Sequence, residues 1–196
     1  MARDNVTFLG RVDDDELPPT IISDSVRLLE QNPDAGFSFG DLTFFNQGGV
    51  SFLKVQGDSD YQRVVRRTMP RVNHPTFLVR RSVYERYGAF ENRWRIAMDY
   101  DWLLRVTRAG VRGVYSSTIH TRMQTGGNSD QDLVKTLNEE RLISIHHGRG
   151  RMSANAYFLM RVVRLWVRLL LQPILPARFI ALVRPGKQAI DVTASR

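Results

Sequence analysis

The sequence predicts an α/β fold, and three observations predict it. Short apolar, β-prone runs alternate with segments of helical apolar spacing along most of the chain. Glycine or proline stands at many of the junctions between them. The 196 residues are 42% hydrophobic and 10% aromatic, enough to bury a core in one domain, or in one domain with a short appendage.

Each element has its own reason. Val6 to Leu9 is apolar, β-prone and stopped by Gly10, so it reads as a short buried strand. An acidic loop follows, Asp13-Asp14-Asp15-Glu16. Pro18 and Pro19 then open a helix whose apolar positions are Ile21, Ile22, Val26 and Leu29, and Asn32-Pro33-Asp34 ends it. Ala35 to Phe39 is a second strand. Leu42 to Phe45 and Val50 to Val55 read as a hairpin around Asn46-Gln47-Gly48-Gly49.

Asp60 to Thr68 is a basic helix or loop, and Pro75 to Val79 a strand. Arg81 to Tyr87 forms a short helix, capped near Ser82 and stopped by Gly88. Ala97 to Ala109 is a stronger helix, with Trp102, Leu103, Val106 and Ala109 on its apolar side and Gly110 at its end. Val111 to Ser116 is a strand, Gly126-Gly127-Asn128-Ser129 a turn, and Leu133 to His146 a polar amphipathic helix. No repeat or low-complexity block interrupts the pattern.

The chain has no cysteine, which excludes disulfide scaffolds, cysteine zinc sites and a cysteine nucleophile. Its formal charge is +8, from 28 basic and 20 acidic residues. That charge is unevenly placed. Residues 1–60 carry 4 basic and 11 acidic side chains, residues 61–112 carry 12 and 4, and residues 149–196 carry 9 and 1. The body is close to neutral but polarised, and the excess equals the charge of the tail. No zinc-finger, RRM or helix-turn-helix signature accompanies the basic blocks, so nucleic acid is not an expected partner. Met1 to Leu9 lacks the long apolar run and small-residue cleavage site of a signal peptide.

Four constellations bear on chemistry. The acidic loop is either a solvated turn ahead of a helix or a set of hard oxygen ligands for Mg²⁺ or Mn²⁺. Asp99 and Asp101 open a helix at i and i+2, so they point to different faces. One of them can cap the helix or pair with Arg105, four residues after Asp101; the other can face a cleft as a general base. His74, in Val72-Asn73-His74-Pro75, is a structural histidine or a ligand contact. Gly126 and Gly127 form a plain turn or one that approaches a ligand by its backbone.

The order and spacing of these pieces say more than any one of them. Phe8-Leu9-Gly10, then Asp13-Asp14 and Pro18, resembles the strand, acidic motif and proline of family 2 glycosyltransferases with the GT-A fold. Asn32-Pro33-Asp34 leading to Phe39-Gly40-Asp41 resembles their "NPD…YGD" segment. His74-Pro75-Thr76-Phe77, Arg80-Arg81-Ser82-Val83-Tyr84 and Tyr87-Gly88-Ala89-Phe90 resemble their "HQ-x-F…RRSLYE…GGFD" run. Asp99-Tyr100-Asp101-Trp102-Leu103-Leu104-Arg105 is similar to "(E)DYDLLLR", and Gly126-Gly127-Asn128-Ser129 to the closing "GG-x-S". Together these cover roughly residues 6–130 and look closest to the subgroup of bacterial exopolysaccharide, colanic-acid-type and glycolipid assembly.

The resemblance implies an inverting transfer from a nucleotide-sugar donor to a glycan or lipid-linked acceptor. It makes Asp99 the catalytic base and gives Asp13, Asp14 and Asp15 a divalent cation on the donor diphosphate. His74, Asp101, Arg105, Gly126 and Gly127 fall on its substrate-binding motifs. Met98 stands where many relatives have Glu. The family's first half, with its nucleoside-binding strands, has no counterpart before Phe8. The expected architecture is therefore an incomplete GT-A domain over residues 1–148: either the sequence is a fragment, or the N-terminal nucleotide-binding half is supplied in trans by a separately encoded piece. The alternative is a truncated, inactive fragment that acts as a binding partner.

Residues 149–196 form a basic tail. Ala156 to Leu171 is one apolar helix in which Arg161, Arg164 and Arg168 fall within a stripe roughly 60° wide at about 100° per residue. Such a helix is expected to lie on the inner face of the plasma membrane with its arginines at anionic headgroups. The competing expectation is a helix packed on the domain with its arginines turned outward.

Overall fold

A computed structural model describes residues 6–8, 15–16, 18–124, 133–171 and 187–189 of the chain. It is an α/β structure built on a mixed sheet. The strands are β1 (Val6–Phe8), β2 (Asp15–Glu16), β3 (Ala35–Phe45), β4 (Ser51–Val55), β5 (Leu78–Arg80), β6 (Arg112–Gln124) and β7 (Lys187–Ala189). The α-helices are α1 (Ile21–Gln31), α2 (Tyr61–Val64), α3 (Arg81–Tyr87), α4 (Met98–Arg108), α5 (Leu133–His146) and α6 (Arg151–Leu171).

β3 is the centre of the sheet. Along one edge it runs parallel to β6. Along the other it pairs antiparallel with β5 at Phe37 and Ser38 and with β4 from Leu42 to Phe45. β1 adds to β5, β2 to β6 and β7 to β4, all antiparallel. The strand and the hairpin arm expected at 35–39 and 42–45 are thus one strand. Gly40 is what lets β3 run through: a Cβ there would stand 1.8 Å from the Ile119 carbonyl oxygen, at the register shift between β3 and β6. Only a residue without a side chain tolerates that approach.

Both faces of β3 are covered, which explains its near-continuous burial. Phe37 and Phe39 join Phe77, Val79, Tyr61 and Trp102 in the main core, on the α4 side. Phe37 lies 5.8 Å from both the Tyr61 and Trp102 ring centres, in edge-to-face contacts that add about 0.5–1.5 kcal/mol each to simple burial. Leu78, alternate to Phe77 and Val79, packs on the opposite face with Leu29 of α1.

Several local expectations change. α1 buries Ile21, Ser25 and Leu29, spaced i, i+4, i+8, while Ile22 faces out. Residues 74–76 form a 3₁₀ turn ahead of β5, because Pro75 brings no N–H to a ladder. α3 has no side-chain cap, from Ser82 or otherwise; it does stop at Gly88, whose φ of 79° favours glycine. α2 is a single turn. β6 runs on past Ser116 to Gln124, and the tail helix starts at Arg151.

Candidate functional site

α4 is a central helix. Tyr100, Asp101, Trp102, Leu103, Leu104 and Val106 are all buried, so little of its circumference is left for solvent. The Tyr100 hydroxyl donates to the Val65 carbonyl at 2.9 Å, and Trp102 Nε1 to that of Gly88 at 3.1 Å. These bonds fix the rotation of the helix, and with it the two aspartates at its start.

The two diverge, as their i, i+2 spacing requires. Asp101 turns into the protein and is fully buried. His147, at the end of α5, places Nε2 2.9 Å from Asp101 Oδ1, and Arg105 donates to Oδ2 at 3.4 Å. Burial alone would raise the Asp101 carboxyl; the His147 hydrogen bond and charge, with Arg105, outweigh it and hold the group below its ordinary value. The pairing with Arg105 that the spacing allowed is present. Arg105 also donates to the Tyr87 and Ala89 carbonyls, both at 2.8 Å, so it closes the turn after α3. In this arrangement Asp101 is bound by His147 and Arg105, and Arg105 by Asp101 and the main chain.

Asp99 turns the other way and is half-buried. Its Oδ1 accepts the Tyr100 N–H at 2.8 Å. Burial pushes its carboxyl up to about 6; the negative charges of Glu140 and Glu139 act in the same direction, against the Tyr100 N–H. A carboxylate poised near neutral pH is suited to taking a proton.

His74 opens the 3₁₀ turn. Its ring meets Phe77 at 5.6 Å and Phe90 at 5.5 Å, and its buried Nε2 has no hydrogen-bond partner among the described residues. Burial brings its pKa down to about 4, so the imidazole is neutral at pH 7. Asp13, Asp14, Gly126 and Gly127 lie outside the described residues. Of Asp15 only the backbone is described, paired with Met123. No three acidic or histidine side chains gather into a metal-holding group among the described residues.

Two carboxylates of α5 that the sequence did not single out stand beside the start of α4. Glu139 accepts the main-chain N–H groups of Arg95, Ile96 and Ala97. Glu140 accepts from the Thr68 hydroxyl at 2.9 Å and pairs with Arg161 of α6. Their only sequence signal was two adjacent acids on a polar helix, the ordinary pattern of a solvated face.

A shallow hollow of about 430 Å³, lined in part by Arg63, Arg66 and Arg112, opens at the other end of α4, beside Thr107 and Gly110. Asp99 and Thr107 stand about 12 Å apart along the helix axis, so the hollow and the Asp99 carboxylate belong to different places.

α6 turns one of its three stripe arginines inward. Ala154 is 2% exposed, and Arg161 reaches inward to Glu140. The Arg149 guanidinium stacks on Tyr157 at 4.8 Å and that of Arg141 on Phe158 at 5.5 Å. The outer face is apolar instead: Leu159, Trp166 and Leu170 are 62%, 56% and 69% exposed. The expectation of arginines turned outward from a packed helix is therefore corrected at Arg161. The cause is the buried Glu140 carboxylate, which requires a cation. No helix among the described residues is long and apolar enough to cross a membrane.

No protein-family model matches the chain, and no curated protein matches it.

Proposed function

We propose that the chain acts as a family 2-type glycosyltransferase, moving a sugar from a nucleotide-sugar donor to a glycan or lipid-linked acceptor with inversion, in cell-surface polysaccharide or glycolipid synthesis. The observation that carries this reading is Asp99. It stands at the second position of α4, in the place the resemblance gives to the base, with its carboxyl raised to about 6.

In the proposed reaction Asp99 accepts the proton of the acceptor hydroxyl as that oxygen attacks the anomeric carbon. The new glycosidic bond forms as the bond to the diphosphate breaks, and the nucleoside diphosphate carries away the electron pair. Oxygen ligands from Asp13, Asp14 and Asp15 suit a hard cation, Mn²⁺ or Mg²⁺. When bound, that cation supplies counter-charge to the diphosphate. Asp101 and Arg105 serve the site by holding α4 and the turn after α3.

The place of action proposed is the inner membrane surface. The outward apolar stripe of α6, with Arg164 exposed at its flank, supports peripheral association.

The test compares donor consumption with Mn²⁺ in wild type and Asp99→Asn. Loss of turnover in a folded Asp99→Asn protein is expected. Equal turnover in both defeats the assignment of Asp99 as base.

A further inference from the structure

The turn that delivers Asp99 is held from outside its own helix. α4 begins after Ala97, whose side chain has no polar atom, so the helix has no side-chain cap of its own. Glu139 of α5 instead holds the three residues just ahead of that helix. Its Oε1 accepts the N–H of Arg95 at 2.9 Å, and its Oε2 those of Ile96 and Ala97 at 2.7 and 2.6 Å. Three consecutive N–H groups converging on one carboxylate form an anion-binding nest, and charge-assisted bonds of this length are the strong kind.

We propose that Glu139 is the positioning residue of the Asp99 site: by locking residues 95–97, its carboxylate sets where the Asp99 carboxylate stands and how dry it is. The inference rests on the reading of Asp99 as proton acceptor. Asp99 is only two residues beyond Ala97, so the backbone path through 95–97 fixes the direction in which its side chain leaves the helix. Glu139 also acts by charge. Burial does most to raise the proton affinity of Asp99, the Tyr100 N–H lowers it, Glu140 of α5 raises it, and the charge of Glu139 adds the smallest share in the same direction. Arg161 of α6 offsets Glu140. Glu140 is engaged by Thr68, Met69 and Arg161, whereas both oxygens of Glu139 are given to the turn.

Two measurements on the full chain test this. In the first, amide hydrogen exchange is followed in the wild type at Arg95, Ile96 and Ala97. All three are expected to be protected; exchange at the rate of a free peptide overturns the proposal. In the second, the Asp99 carboxyl is titrated by carbon NMR, its signal identified by its loss in Asp99→Asn. In Glu139→Gln the midpoint should move down by about one pH unit, chiefly because the loosened turn lets water in and to a smaller degree because a charge is lost. Glu139→Asp, which keeps the charge, should retain part of the wild-type value. An unmoved midpoint in folded Glu139→Gln overturns the proposal, since a brace that serves stability alone lowers the melting temperature without moving Asp99. If Glu139→Gln does not fold, the wild-type exchange and Glu139→Asp decide. Failure of Asp99 as base shows separately, as unchanged donor turnover in Asp99→Asn.

Discussion

His147 Nε2 stands 2.9 Å from the fully buried carboxylate of Asp101, tying the end of α5 to the first turn of α4 across 46 residues of chain. The contact locks together the two helices that carry Asp99 and Glu139. Removing one partner of such a pair leaves an uncompensated group inside the protein.

Asp101→Asn is therefore expected to lose about 3 kcal/mol of stability at pH 7, read from urea unfolding. The pH dependence has a definite sign. The folded Asp101 carboxyl lies below its ordinary value, so its contribution is present above an unfolded pKa of about 4. It is lost as pH falls through the folded value. The gap between wild type and Asp101→Asn should close in strong acid.

Asp99 behaves in the opposite sense. Its folded carboxyl, near 6, keeps a proton in a range where the unfolded carboxyl has lost it. Stability from this group therefore falls as pH rises from about 4 to 6 and is level above. Asp99→Asn should be more stable than wild type at pH 7.5 by about 1–2 kcal/mol, allowing for its partial exposure, with the gain fading near pH 4. Unfolding curves at the two pH values measure this. A gain in stability with loss of turnover is the pattern expected of a group kept for chemistry.

Arg161 and Arg164 lie three residues apart on α6 and should differ sharply. Arg161→Ala leaves Glu140, 8% exposed, without its cation and should cost about 3 kcal/mol. It should also loosen α6, opening residues 148–151 to limited proteolysis. Arg164→Ala, at an exposed position, should stay within about 0.5 kcal/mol of wild type. Equal effects of the two substitutions would contradict the inward placement of Arg161.

The outward stripe of α6 can be tested without disturbing the body. Val163→Asp with Trp166→Asp should abolish cosedimentation with vesicles rich in anionic lipid and leave the melting temperature nearly unchanged, because both side chains are exposed. Binding that survives these changes would mean that α6 does not seat on lipid through this face.

Much of this fold was legible locally. α3, α4 and α5 fall close to their expected bounds because helical spacing and the stops at Gly88 and Gly110 lie within a few residues of the elements they define. The Asp101–Arg105 pair was legible for the same reason, being one helical turn apart. The unity of β3 was not. Gly40 followed by Asp41 resembles a turn, and only the close passage of Ile119, from a strand far along the chain, shows why a glycine sits inside a strand. Ser25 likewise occupies a buried position that polarity would assign to the surface.

By itself the sequence determined the α/β class, the bounds of α3, α4 and α5, the polarised charge and the divergence of Asp99 from Asp101, because all of these depend on composition or on neighbours within one turn. Which aspartate enters the core was decided by tertiary structure, since His147 and the Arg105-bound turn meet only one of them. The anchoring of residues 95–97 by Glu139 and the inward turn of Arg161 toward Glu140 were decided in the same way. An acid on a polar helix and an arginine on an amphipathic one look alike whether solvated or paired. Their roles follow from desolvation and from partners some 20 to 45 residues away, which no local pattern records.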